Sequence, residues 1–145
     1  MAYNKKSWQE KLHTGAAVKV VRCDKKFADI PEGATLVVTT PEVVDAYIRN
    51  IPEGSFTPFS QMRADLAATY HADYCCPITA GIFVRIAAEA AFEAYGGGKP
   101  IEDVTPFWRM VDPSSPAAKK LSFGAEFLTL MQAKEHLKVK VQSKR

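Results

Sequence analysis

Cysteine is scarce in this chain: there are three among 145 residues, and two of them are adjacent. That is a poor disulfide framework, so a reduced, cytoplasmic setting is the expectation. Neither Cys-x-x-Cys nor His-x-x-x-His spacing occurs, so the paired ligands of structural zinc are missing and no metal is expected. No apolar run approaches the roughly 20 residues that a membrane helix needs, which argues against a membrane partner. The first eight residues carry lysines with no apolar segment after them and do not read as a signal peptide. The only glycine run, Gly96-Gly97-Gly98, is followed by Lys99 and Pro100. It comes after a helical pattern instead of opening one, so it reads as a helix stop and not as a phosphate loop. No cofactor is expected.

What the chain does contain is ordinary for a globular protein: 47% hydrophobic and 24% charged residues. Its length suits one domain with a small N-terminal addition. The net charge of +3 conceals an asymmetry. Residues 1–26 and 134–145 together hold 12 basic and 3 acidic side chains, whereas residues 27–133 hold 7 basic and 13 acidic ones.

Local patterns give an α+β order of elements. Residues 7–12 suit a short helix with Trp8 and Leu12 on one side. Residues 18–23 and 35–39 have strand character and are expected to pair. Thr40-Pro41-Glu42 is a helix start, with a capping hydroxyl, Pro in the first turn and an acid behind it. Val43, Val44, Tyr47, Ile48 and Ile51 continue it as an apolar stripe. A second helix begins near Phe59 or Ser60, with Phe59, Met62, Leu66 and Tyr70 inward. The longest helix is expected over residues 78–95, capped near Cys76, and rich in alanines that let neighbours approach closely. Thr105 to Val111 is aromatic-rich and reads as a strand. Residues 112–122 read as a polar loop, residues 124–137 as the last helix, and residues 138–141 as an exposed edge strand with alternating lysines.

Four of these pieces together resemble the C-terminal domain of the alkylguanine-DNA alkyltransferases, over about residues 48–137. Pro106-Phe107-Trp108-Arg109-Met110-Val111 is similar to that family's Pro-Cys-His-Arg-Val motif, in which the Cys accepts the alkyl group. Phe107 stands in the place of the Cys and Trp108 in that of the His. Ile51-Pro52-Glu53-Gly54 is similar to the family's Ile-Pro-x-Gly segment, and Phe59 occupies the position of a following Tyr. Pro77-Ile78-Thr79-Ala80-Gly81-Ile82-Phe83 resembles the start of the DNA-reading helix, with Gly81 where the family carries an Arg that fills the space of a flipped base. Ser122-Phe123-Gly124 is similar to the Tyr-x-Gly-Gly before the last helix.

The resemblance implies a winged-helix-like domain over residues 41–137, a reduced β element in residues 1–40 and a basic tail in residues 138–145. It also implies a protein in the manner of the alkyltransferase-like proteins, which bind damaged double-stranded DNA without repairing it, so no catalytic residue is expected. The implied DNA-contacting residues are Thr79, Ala80, Gly81, Arg85, Lys119 and Lys120. The implied base pocket is Phe59, Pro106, Phe107, Trp108 and Arg109. Two other readings stand beside this one. The acidic middle suits a protein-interaction or small-ligand module on the same fold. Cys76, at a helix start near His71 in sequence, suits a thiol enzyme.

Overall fold

The computed structural model describes residues 7–27 and 30–139, and within them the fold is α+β. The chain opens with α1 (Trp8–Leu12), where Ser7 and Glu10 form a reciprocal capping box. Its first two free N–H groups, those of Trp8 and Gln9, donate to the Glu93 carboxylate, and the Gln9 amide donates to Ala90 O at 2.7 Å. These bonds seat α1 on the long helix described below.

The strands β1 (Lys19–Arg22) and β2 (Thr35–Val38) pair antiparallel, with Val20 opposite Val37. A two-residue strand that the sequence patterns miss, β3 (Tyr74–Cys75), joins the other edge of β2 in parallel. Within this sheet β1 is exposed along its whole length, while Leu36 and Val37 of β2 are buried.

α2 (Pro41–Arg49) starts as its sequence predicts: the Thr40 hydroxyl accepts from Val43 N and Pro41 occupies the first turn. Val44 and Ile48 are fully buried. α3 (Phe59–Thr69) buries Met62 and Leu66. α4 (Pro77–Gly96) is the central element, and its buried face is mostly small: Ala80, Val84, Ala87, Ala88 and Ala91. The small side chains let α1 and α2 pack closely against it. The helix ends at the glycine run, where Gly98 adopts φ 107°, a conformation that suits glycine.

The segment expected as a strand at Thr105–Val111 is instead a 3₁₀ turn over Phe107–Arg109. Its backbone is satisfied locally, by Arg109 N to Pro106 O at 3.0 Å and Met110 N to Phe107 O at 3.0 Å. The aromatic residues face the last helix, and the sheet lies elsewhere. Strand preference reflects a pleated surface to pack on, and this segment has none. The loop expected over residues 112–122 contains a one-turn helix, α5 (Pro116–Lys119), capped by Ser115. The last helix, α6 (Glu126–Lys134), is shorter than the expected residues 124–137 and buries Leu128, Met131 and Gln132. Lys138 and Val139 are not in a strand, and the remainder of the expected edge strand lies outside the described residues.

Candidate nucleic-acid interface

A cleft of about 210 Å³ opens between the first turns of α4 and the segment that follows the 3₁₀ turn. Pro77, Gly81 and Val84 form one wall, Phe59 borders it, and Met110, Val111 and Pro116 form the other wall. Pro77, Gly81 and Val84 share one stripe because they are spaced by four and three residues.

The elements around the cleft are tied in place. Arg63 of α3 donates through Nε and Nη2 to Cys75 O, at 3.0 and 2.8 Å, and so holds the strand that leads into α4. The Asp112 carboxylate accepts from the backbone N and the hydroxyl of Ser114 at the root of the loop. Ser115 Oγ donates to Asp112 O at 2.6 Å and accepts from Ala118 N. At the far end, Ser122 N and Oγ donate to the Glu89 carboxylate at 2.7 and 2.6 Å. Glu89 is only 2% exposed and belongs to α4, so the loop is pinned along the helix it faces.

The electrostatics of this face differ from those of the chain's middle as a whole. Residues 77–88 and 113–121 contain Arg85, Lys119 and Lys120 and no acidic residue. Asp112 lines the cleft itself and Glu89 lies beside Arg85, and both carboxylates accept hydrogen bonds that hold the loop. Lys119 and Lys120 are exposed. The Arg85 guanidinium lies 5.4 Å from the centre of the Trp8 ring and 4.0 Å from Glu89, with its side chain 42% exposed.

Of the six residues expected at a DNA surface, Gly81 lines the cleft, whereas Thr79, Ala80, Arg85, Lys119 and Lys120 are not among its lining residues. A Cβ placed at Gly81 would meet nothing within 4 Å. Thr79 is half-buried, and its hydroxyl has no hydrogen-bond partner among the described residues. Ala80 is fully buried and faces the core.

The five residues grouped as a base pocket are not brought together. Phe59 borders the cleft beside α4. Pro106, Trp108 and Arg109 line a separate hollow of about 360 Å³ with Arg49, Lys134 and Glu135. Phe107 lines neither hollow; it is fully buried, with its ring 5.5 Å from that of Phe123 and 5.9 Å from that of Phe127.

Trp108 and Arg109 converge on Glu135. Arg109 Nε and Nη2 donate to the two carboxylate oxygens, each at 2.9 Å, and Nη1 donates to Ile51 O at 2.9 Å. Trp108 Nε1 donates to Glu135 Oε2 at 2.7 Å and Gly54 N to Oε1 at 3.2 Å. Burial disfavours the charged form of Glu135, yet the Arg109, Trp108 and Gly54 hydrogen bonds outweigh it and hold the carboxyl below its ordinary range. One turn earlier, the Gln132 amide donates to both Trp108 O and Val111 O. Arg109 is thus a strut between α6 and the segment after α2. Sequence reasoning missed Glu135 and Gln132. The signal was available, since both continue the stripe of Leu128 and Met131 at three- and four-residue spacing, and a polar residue on a core stripe needs a partner.

Among the described residues, no group of three or more His, Cys, Asp or Glu is placed to hold a metal ion. The three cysteines are free thiols. Cys75 is buried, and burial pushes its thiol pKa up. Cys76 is the N-cap residue of α4 but packs in a small cluster with Ile30 and Leu36. Comparison with protein-family models, curated proteins and solved structures finds no match to this chain. Among the described residues, no helix is long and apolar enough to cross a membrane.

Proposed function

We propose that this chain binds duplex DNA without performing chemistry on it. In this reading α3, α4 and the 112–122 loop act as a winged-helix-like unit. The N-terminal half of α4 enters a groove, Lys119 and Lys120 meet the phosphate backbone, and the cleft takes an extrahelical, alkylated base. The observation that carries the reading is a largely apolar cleft beside the first turns of α4, whose one acidic lining residue, Asp112, is engaged by Ser114, with the exposed Lys119 and Lys120 on the segment that forms its other wall. Phosphate neutralisation supplies much of any duplex affinity, and that needs cations without competing carboxylates. An apolar wall with an aromatic border suits a displaced base, which stacks against such surfaces. The cleft is bordered by Phe59 and Met110 and by no thiol, which favours recognition over alkyl transfer. The burial of Phe107 within an aromatic cluster supports the same preference. The test is equilibrium binding to short duplexes, with and without a central O⁶-alkylguanine, over a salt series. The expected result is salt-sensitive binding that is tighter for the lesion. Absence of salt-sensitive binding to either duplex would overturn the reading.

A further inference from the structure

The sheet ends on an open edge. β1 is its terminal strand, paired with β2 on one side and, among the described residues, with nothing on the other. The register decides which backbone groups face that edge. In an antiparallel ladder, residues alternate between exchanging hydrogen bonds with their opposite number and turning their N–H and C=O away from it. Cys23 N donates to Ala34 O at 2.8 Å, which makes Cys23, Val21 and Lys19 the positions bonded to β2. Val20 and Arg22 fall between them. Their opposite numbers agree: Val37 O accepts from Cys76 N, and Thr35 N donates to Asp73. The N–H and C=O groups of Val20 and Arg22 therefore point to the open side.

The side chains of this strand are exposed, Val20 at 47% and Val21 at 43%. Neighbours in a strand project to opposite faces, so each face of the edge offers one valine to cover. Lys19 and Arg22 stand at the two ends of β1, and residues 14–23 contain no acid. The exposed Lys25 and Lys26 follow the strand. The nearby acids are Asp24 and Glu32, in the connection to β2, and Asp73, which lies beyond β2 and is engaged by the backbone N and the hydroxyl of Thr35. A second copy of β1 would bring two cationic strands together, and charged side chains on an edge guard against such self-pairing. An acidic strand turns the same charges into attraction.

We propose that the open edge of β1 takes up an extended segment of a partner protein, with the pattern acid–apolar–apolar–acid, as an added antiparallel strand. The acids fall opposite Arg22 and Lys19, and the apolar residues opposite Val21 and Val20. In strand addition the main chain supplies affinity and the side chains choose the partner. The inference does not depend on the DNA-binding reading, since it concerns the opposite end of the sheet from β3 and α4.

The experiment titrates the full chain with the capped peptide Thr-Glu-Val-Val-Glu-Thr and follows backbone amide shifts and hydrogen exchange. In the free chain the Val21 amide should exchange slowly and the Val20 and Arg22 amides fast. The peptide should shift residues 18–23 and slow exchange at Val20 and Arg22. Added salt should weaken binding, and lysines in place of the peptide's glutamates should abolish it. N-methylation of the peptide's second valine, whose N–H faces Val20, should weaken binding roughly ten-fold. N-methylation of its first valine, whose N–H faces away, should change little. The variant Lys19→Glu/Arg22→Glu should reverse the preference and select the lysine peptide. Absence of peptide-dependent shifts in β1 would overturn the proposal. Equal binding of the two N-methylated peptides, or of the acidic and basic peptides, would do the same. A concentration-dependent dimer in which Val20 and Arg22 are already protected would assign the edge to a second copy and also overturn it.

Discussion

Replacing Glu135 by alanine should be among the most damaging single changes to this fold. The Glu135 carboxylate accepts two hydrogen bonds from Arg109, one from Trp108 and one from Gly54. The Arg109 side chain is 15% exposed and that of Glu135 is 8% exposed, so neither end has much recourse to water. Truncating the acid strands a guanidinium and an indole N–H. Removing one partner of a buried pair costs about 3–5 kcal/mol, and the residual exposure of Arg109 points to the lower end of that range. For a chain of this size each kcal/mol moves the melting temperature by about 3–4 °C, so Glu135→Ala should lower it by about 10 °C. In urea the midpoint should fall by roughly 1–3 M with an unchanged slope. A double variant, Glu135→Ala/Arg109→Met, should be more stable than the sum of its two single changes, because it removes the stranded charge as well. A single Glu135→Ala loss below about 1 kcal/mol would refute the assignment of the pair as a buried strut.

Further predictions concern titration, charge and the thiols. Because the Glu135 carboxyl is held below its ordinary range, its stabilisation is present above the unfolded value of about 4.3 and is lost as pH falls through the lower folded value. Glu135→Gln should therefore flatten the acid limb of stability against pH, and an unchanged limb would contradict this. Lys119→Gln/Lys120→Gln should reduce the salt slope of duplex binding by about 2, with little change in preference for the lesion. An unchanged slope would remove the 112–122 loop from the phosphate contacts. Cys75 should resist iodoacetamide in the folded protein at neutral pH and react on unfolding, since burial raises its pKa and shields it. Fast labelling of the native chain at Cys75 would contradict its placement.

How much was legible in the sequence depended on how far each element is decided locally. α2 was readable because Thr40, Pro41 and Glu42 mark its start and Val44 and Ile48 carry its period. α4 was readable because it is long, alanine-rich and closed by glycines. The β1–β2 pairing followed from two short apolar runs. In contrast, β3 is two residues long, and only the neighbouring β2 makes it a strand. The Phe107–Arg109 turn misled because bulky aromatics favour strands on average, while here Trp108, Arg109 and Gln132 fix the backbone through contacts with α6. The same distinction applies to the site. Gly81 and Phe59 sit on recognisable helix starts, and both line the cleft beside α4. The separation of Phe107 and Trp108 from the cleft that Phe59 borders reflects their packing against α6, which no local pattern encodes.

The central claim is that the N-terminal half of α4 and the 112–122 loop form a DNA-binding face. The most direct measurement follows backbone amide resonances while a short duplex is titrated into the labelled protein at low salt. The account predicts shift changes concentrated in residues 77–88 and 110–121, reversed by added salt. No changes, or changes centred on the separate hollow near Arg49 and Glu135, would contradict it.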